Sequence, residues 1–142
     1  MYEQDYYLWL EETIKQLKTR QLANLDYDNL IEELEDLGNE RKNAVKSLLE
    51  QVMRHLLLLE YWSEESERNF YHWQGEILGF RHQLEDKLTT NLRNYLAEEM
   101  TTIYKRALKQ VKIKTKYKVD FPEECPYSLE QLLDENYSPT DN

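Results

Sequence analysis

Residues 27–61 read YDNLIEELEDLGNERKNAVKSLLEQVMRHLLLLEY, and the reading of this stretch decides the fold. Leu30, Leu34, Leu37, Arg41, Val45, Leu48, Val52, Leu56 and Leu59 mark a register of 29 residues in eight steps, about 3.6 per step, the period of an α-helix. The count does not slip at Gly38-Asn39. One helix over residues 27–61 therefore fits better than two helices and a turn, although Gly costs about 1 kcal/mol relative to Ala in a helix interior. At 1.5 Å per residue such a helix reaches on the order of 50 Å, so its two halves are expected to pack against different neighbours.

The same period recurs on both sides. Tyr6, Leu10, Ile14 and Leu17 predict a helix over residues 5–18, and Asp26 is placed to cap the long helix that follows. Ser63, followed by Glu64, Glu65 and Glu67, predicts the start of a third helix whose inner face carries Phe70, Trp73, Ile77, Phe80, Leu84 and Leu88. Gly75 and Gly79 form a Gly-x-x-x-Gly, a weak signal for close helix approach outside a membrane. Thr89 or Thr90 caps a fourth helix with the stripe Leu92, Leu96, Ile103, Ala107 and Val111. Residues 111–119 alternate like a strand, but no other segment does, so they are read as the lysine-rich end of that helix followed by extended chain. Ser128-Leu-Glu-Gln131 is a capping box, with Tyr127 and Leu132 at the staple positions, and it predicts a short helix over residues 129–134. The expected fold is all-α: a single helical domain over residues 1–142, a bundle with one long helix, two further long helices and a short C-terminal helix. Residues 120–142 carry too many apolar groups for a free tail and are expected to pack on the body.

Composition bounds the function. The chain has 142 residues, 40% of them apolar and 32% charged, which is globular. Its longest aliphatic run, Leu56 to Leu59, falls far short of the roughly 20 residues a spanning helix needs, and the N-terminus lacks the pattern of a signal peptide. The lone Cys125 excludes an internal disulfide and fits a reducing cytoplasm, so a cytoplasmic location and no membrane partner are expected. A net charge of -10 disfavours nucleic acid as a partner except through a local basic patch. One exists: residues 100–119 hold no acid, while Lys105, Arg106, Lys109, Lys112, Lys114, Lys116 and Lys118 supply seven positive charges.

Several stretches in order resemble the bacterial family known as domain of unknown function 29. They are Tyr2-Glu-Gln-Asp-Tyr-Tyr-Leu-Trp-Leu10; Asn29-Leu-Ile-Glu-Glu-Leu-Glu-Asp-Leu-Gly38 with Glu40 and Arg41; His55-Leu-Leu; Trp73 with Ile77 and Arg81; and Phe121-Pro-Glu-Glu-Cys-Pro-Tyr-Ser-Leu-Glu-Gln-Leu-Leu-Asp134. The resemblance covers nearly the whole chain and implies an all-helical fold, with no activity to carry onto a residue. Between Lys112 and Asp120 the chain departs from it, since a glycine-containing turn is usual there and lysines stand instead.

No catalytic constellation stands out. Glu32, Asp36 and Glu40 stack at i, i+4 and i+8, where like charges oppose one another by about 0.2–0.5 kcal/mol per pair. They read as a solvated face, a salt-bridged packing surface, or an oxygen-ligand metal site, in that order. His55, His72 and His82 form neither Glu-x-x-His nor His-Glu-x-x-His and read as structural. Cys125 reads as a buried thiol, because Glu123 and Glu124 would raise rather than lower its pKa. The aromatics fall on or beside apolar stripes, and three glycines leave no phosphate-binding loop. No cofactor is expected. The preferred function is a protein-interaction module or homo-oligomer, with Glu32, Asp36, Glu40, Arg41, Lys112, Lys114 and Lys116 as candidate interaction residues. The lysines are expected to serve the acidic surface of this chain or of a second copy. Nucleic-acid binding through the lysine segment and a metal-dependent enzyme with carboxylate and histidine ligands are the alternatives.

Overall fold

A computed structural model of the chain describes residues 5–139. Tyr2, Glu3 and Gln4 of the first quoted stretch, and residues 140–142 of the tail, lie outside the described residues. The fold is all-α: α1 (Tyr6–Lys18), α2 (Tyr27–Tyr61), α3 (Ser63–Lys87), α4 (Thr90–Lys114) and α5 (Leu129–Leu133). α2 runs unbroken through Gly38, which has no positive φ and open space where a Cβ would stand. Among the described residues there is no strand, and no helix is long and apolar enough to cross a membrane. Packing groups the chain into two compact units, divided between Glu40 and Arg41.

The first unit is a helical hairpin. Asp5 caps α1 by accepting from the Leu8 amide at 3.0 Å. α1 ends in a Schellman turn: Gln21 N–H reaches the Gln16 carbonyl and Arg20 N–H the Leu17 carbonyl, with Arg20 at φ 58. Asp26 does more than cap α2. It accepts from the Asn29 amide and side chain and from the Trp9 indole at 3.2 Å, which ties α1 to the start of α2. The Asn29 side chain, ahead of its backbone amide and the indole, holds the Asp26 carboxyl below its ordinary range. Trp9, Thr13 and Leu25 are buried in this unit.

The second unit holds the main core. Val45, Leu49, Val52 and Leu56 of α2, Ile77 and Leu84 of α3, and Ile103 and Val111 of α4 are among its buried residues. Ser63 does not cap α3. Trp62 alone separates α2 from α3: its N–H closes α2 on the Leu58 carbonyl, and its own carbonyl accepts from Glu65 and Ser66, so Ser63 is already the first helical residue. The Trp62 ring stacks on Trp73 at 6.1 Å. Thr89 caps α4 through the Leu92 amide. Gly75 and Gly79 are exposed, with nothing near either, so the Gly-x-x-x-Gly makes no close crossing here.

Residues 116–128 then lead to α5, whose capping box is formed at both Ser128 and Gln131. α5 packs against α3 and α4. Phe121, Tyr127, Leu129 and Leu132 are buried, the Tyr104 hydroxyl donates to the Pro122 carbonyl at 2.6 Å, and the Tyr127 hydroxyl donates to Glu60 Oε2 at 2.7 Å.

Candidate functional site

Glu32, Asp36 and Glu40 lie exposed along α2 in the hairpin unit. Interleaved with them are the apolar side chains of Ile31, Leu34 and Leu37, and Leu34 is 60% exposed. Ile14 and Leu17 of α1 are also exposed. An apolar stripe at helical spacing that stays in water on both helices of one hairpin is not the ordinary state of core-facing residues. Residues 1–40 hold 3 basic residues against 11 acids, a net -8 of the whole chain's -10. Arg41 is exposed at the start of the second unit, and among the described residues no ion pair joins it to a carboxylate.

The candidate lysines lie together at the end of α4. Lys112 is half-buried and pairs with Glu123 at 3.6 Å, whereas Lys114 and Lys116 are exposed. Ile113 and Tyr117, 62% and 72% exposed, stand among them, so this end also offers apolar groups between cations. The helix finishes in a second Schellman turn. Tyr117 N–H reaches the Lys112 carbonyl and Lys116 N–H the Ile113 carbonyl, with Lys116 at φ 56 in the position glycine usually takes. A lysine thus stands where such a turn favours glycine.

Arg81 was not among the candidate residues, yet it is the one buried Lys or Arg among the described residues. It is 5% exposed on α3 and donates from Nε to the Leu132 carbonyl at 2.8 Å, from Nη1 to Tyr137 at 2.9 Å and from Nη2 to Gln131 at 3.0 Å. These carbonyls belong to the end of α5 and the chain after it, where helix carbonyls lack intrahelical donors, so the guanidinium fork fastens the tail. The signal was present: position 81 falls four residues after Ile77 and three before Leu84, a charge inside the apolar register.

His82 meets Glu135 at 3.0 Å. The Cys125 thiol donates to the Tyr127 carbonyl, and burial rather than Glu123 or Glu124 pushes its pKa up. Among the described residues, no three His, Cys, Asp or Glu side chains are placed to hold a metal ion.

A separate concavity of about 320 Å³ lies wholly in the second unit, lined by Arg54, His55, Leu58, Trp73, Ile113 and Lys114 among others. Arg54 donates to the side-chain oxygens of Gln51 and Gln110, and Gln110 in turn donates to Glu50, which Arg106 also engages at 3.1 Å. The His55 ring sits against Phe80, and its Nδ1–H donates to the Gln51 carbonyl at 2.7 Å, which leaves Nε2 as the acceptor of the neutral ring. Burial, above the effects of the Gln51 carbonyl and of Arg54, holds the His55 pKa below its ordinary value.

No curated protein and no solved structure matches the chain. A family match extends over residues 1–138 of the 142, and by it the chain belongs to the family described as Domain of unknown function DUF29.

Proposed function

We propose that the chain is a protein-interaction module in which the acidic, apolar hairpin takes the lysine-rich end of α4 from a second copy. The observation that carries this reading is the exposed apolar stripe of Ile31, Leu34 and Leu37 set among carboxylates. Charge selects the occupant. Two hairpins at -8 each repel, whereas residues 100–119 bring seven cations and no acid, with exposed Ile113 and Tyr117 to meet the leucines. Used reciprocally about a two-fold axis, the contact closes into a dimer and does not propagate.

Sedimentation velocity across a micromolar concentration series tests this. A monomer–dimer equilibrium is expected that weakens with salt and shifts to monomer in Lys114→Glu/Lys116→Glu. Mixing that variant with Glu32→Lys/Asp36→Lys is expected to restore one complementary contact and with it a mixed dimer. A chain that is monomeric throughout overturns the reading. So does saturable DNA or RNA binding whose log-log salt slope shrinks by roughly 0.7–0.9 per lysine removed while assembly is unaffected.

A further inference from the structure

We propose that the concavity between α2, α3 and α4 binds a small organic acid, its carboxylate held by Arg54 and Lys114 and its apolar body laid against Trp73 and Leu58. The inference goes beyond self-association: every lining residue belongs to the second unit, and because Lys114 and Ile113 also stand in the surface proposed for the second copy, binding is read at concentrations where the chain is monomeric. Three nitrogen-bearing side chains, Arg54, His55 and Lys114, line one space in an acidic protein, and no Asp or Glu lines it with them. Glu76, whose charge acts on His55, is not part of the wall.

Among the described residues, neither Arg54 nor Lys114 has a carboxylate at ion-pair distance. Arg54 spends its hydrogen bonds on the neutral amides of Gln51 and Gln110, while the one carboxylate in that network, Glu50, is engaged by Arg106 and the Gln110 amide. Lys114 has no ion pair among the described residues. A half-buried guanidinium oriented by two amides and free of a carboxylate is preorganised for an incoming anion, and charge-assisted bonds of this kind are the strong ones. Apart from Gln110 the remaining wall is apolar: Trp73 is buried and stacked on Trp62, and Leu58 is buried. A few convergent polar groups on a mostly apolar concavity is the usual build of a ligand site, and the volume suits a small ligand.

The probes are benzoate and its neutral isostere benzamide, titrated at constant ionic strength while the Trp73 indole and His55 ring signals are followed by NMR. Benzoate is expected to shift both and to saturate in the roughly millimolar range proper to so small a ligand, with benzamide at least about tenfold weaker. Arg54→Gln and Lys114→Gln are each expected to weaken benzoate by about tenfold, a change that one lost charge-assisted bond gives. Lys114 is exposed, so its variant folds whether or not Arg54→Gln does. Arg68→Gln, on the exposed face of α3, is expected to leave binding unchanged. Shifts that never saturate, equal binding of benzamide, no effect of Lys114→Gln, or an equal loss in Arg68→Gln each overturn the proposal.

Discussion

Leu34 and Leu56 stand in one register of one helix, yet Leu34 is 60% exposed and Leu56 is 1% exposed. The two halves of α2 share a period, a residue type and an unbroken backbone, and they differ in what lies against them. From Val45 onward the stripe enters a core shared with α3, α4 and the tail. Before Gly38 the hairpin buries Trp9, Thr13 and Leu25 and leaves Ile31, Leu34 and Leu37 in water. A helical stripe identifies a face and says nothing about whether the chain itself supplies the cover. Charge separates the halves further, since residues 41–142 hold 15 basic residues against 17 acids, a net of only -2.

The largest effect that breaks or sharpens this comparison is a paired truncation. Leu56→Ala is expected to cost about 2–5 kcal/mol, the range for emptying a well-packed leucine site. Leu34→Ala, measured in dilute monomer, is expected to fall within about 0.5 kcal/mol of the parent, as a surface change does. Urea unfolding of both variants checks it. Similar losses at the two sites would show that the hairpin stripe is covered within the monomer and would remove the basis for the proposed docking.

A smaller effect isolates the tail within the second unit. Arg81→Met removes the donor of three main-chain carbonyls and is expected to cost about 2–3 kcal/mol, since buried acceptors lose a charged partner. Arg81→Lys is expected to recover little, because a compact ammonium cannot span carbonyls on Gln131, Leu132 and Tyr137 as a planar fork does. Hydrogen exchange should speed up at the α5 amides in both variants. Unchanged exchange there would show that the tail holds through Phe121, Tyr127 and Leu132 alone.

What was legible in the residues was whatever is encoded locally. The five helices, continuity through Gly38, the Asp26 and Thr89 caps and the Ser128-Gln131 box all follow from spacing and from side chains that satisfy amides within a turn. The errors are of two kinds, a local break and a distant partner. Ser63 has the right chemistry for a cap, but a one-residue break at Trp62 leaves it inside the helix. The apolar register takes Phe80 and not Arg81, because a charge there has meaning only once the Gln131, Leu132 and Tyr137 carbonyls arrive from about fifty residues away. Arg54, His55 and Lys114 come from two helices and share no motif, so their convergence on one concavity had no sequence signature. The candidate residues Glu32, Asp36 and Glu40, like Lys114 and Lys116, were legible as exposed charge, and what they meet is a matter for the solution experiments above.

The smallest expected effect exchanges the roles of two residues, one in each unit of the chain. Gly38 sits in α2 with ordinary helical dihedrals and open space around it, so glycine is not needed there. Gly38→Ala is expected to stabilise by about 0.4–1 kcal/mol, mainly by narrowing the unfolded ensemble. Lys116 is the reverse case: it holds φ 56 at the end of α4, where a Cβ crowds the following carbonyl. Lys116→Gly is therefore expected to stabilise as well, by up to about 1 kcal/mol once relief of strain is set against the greater freedom of unfolded glycine. Uncoupled sites give gains that add within about 0.3–0.5 kcal/mol, so the double variant reads directly whether these two are coupled. Thermal and urea unfolding of the two single variants and the double decide the matter. A loss at Gly38→Ala would mean that the exposed half of α2 needs a close backbone approach there in the assembled protein. A loss at Lys116→Gly would mean that the lysine side chain makes a contact worth more than the strain it bears.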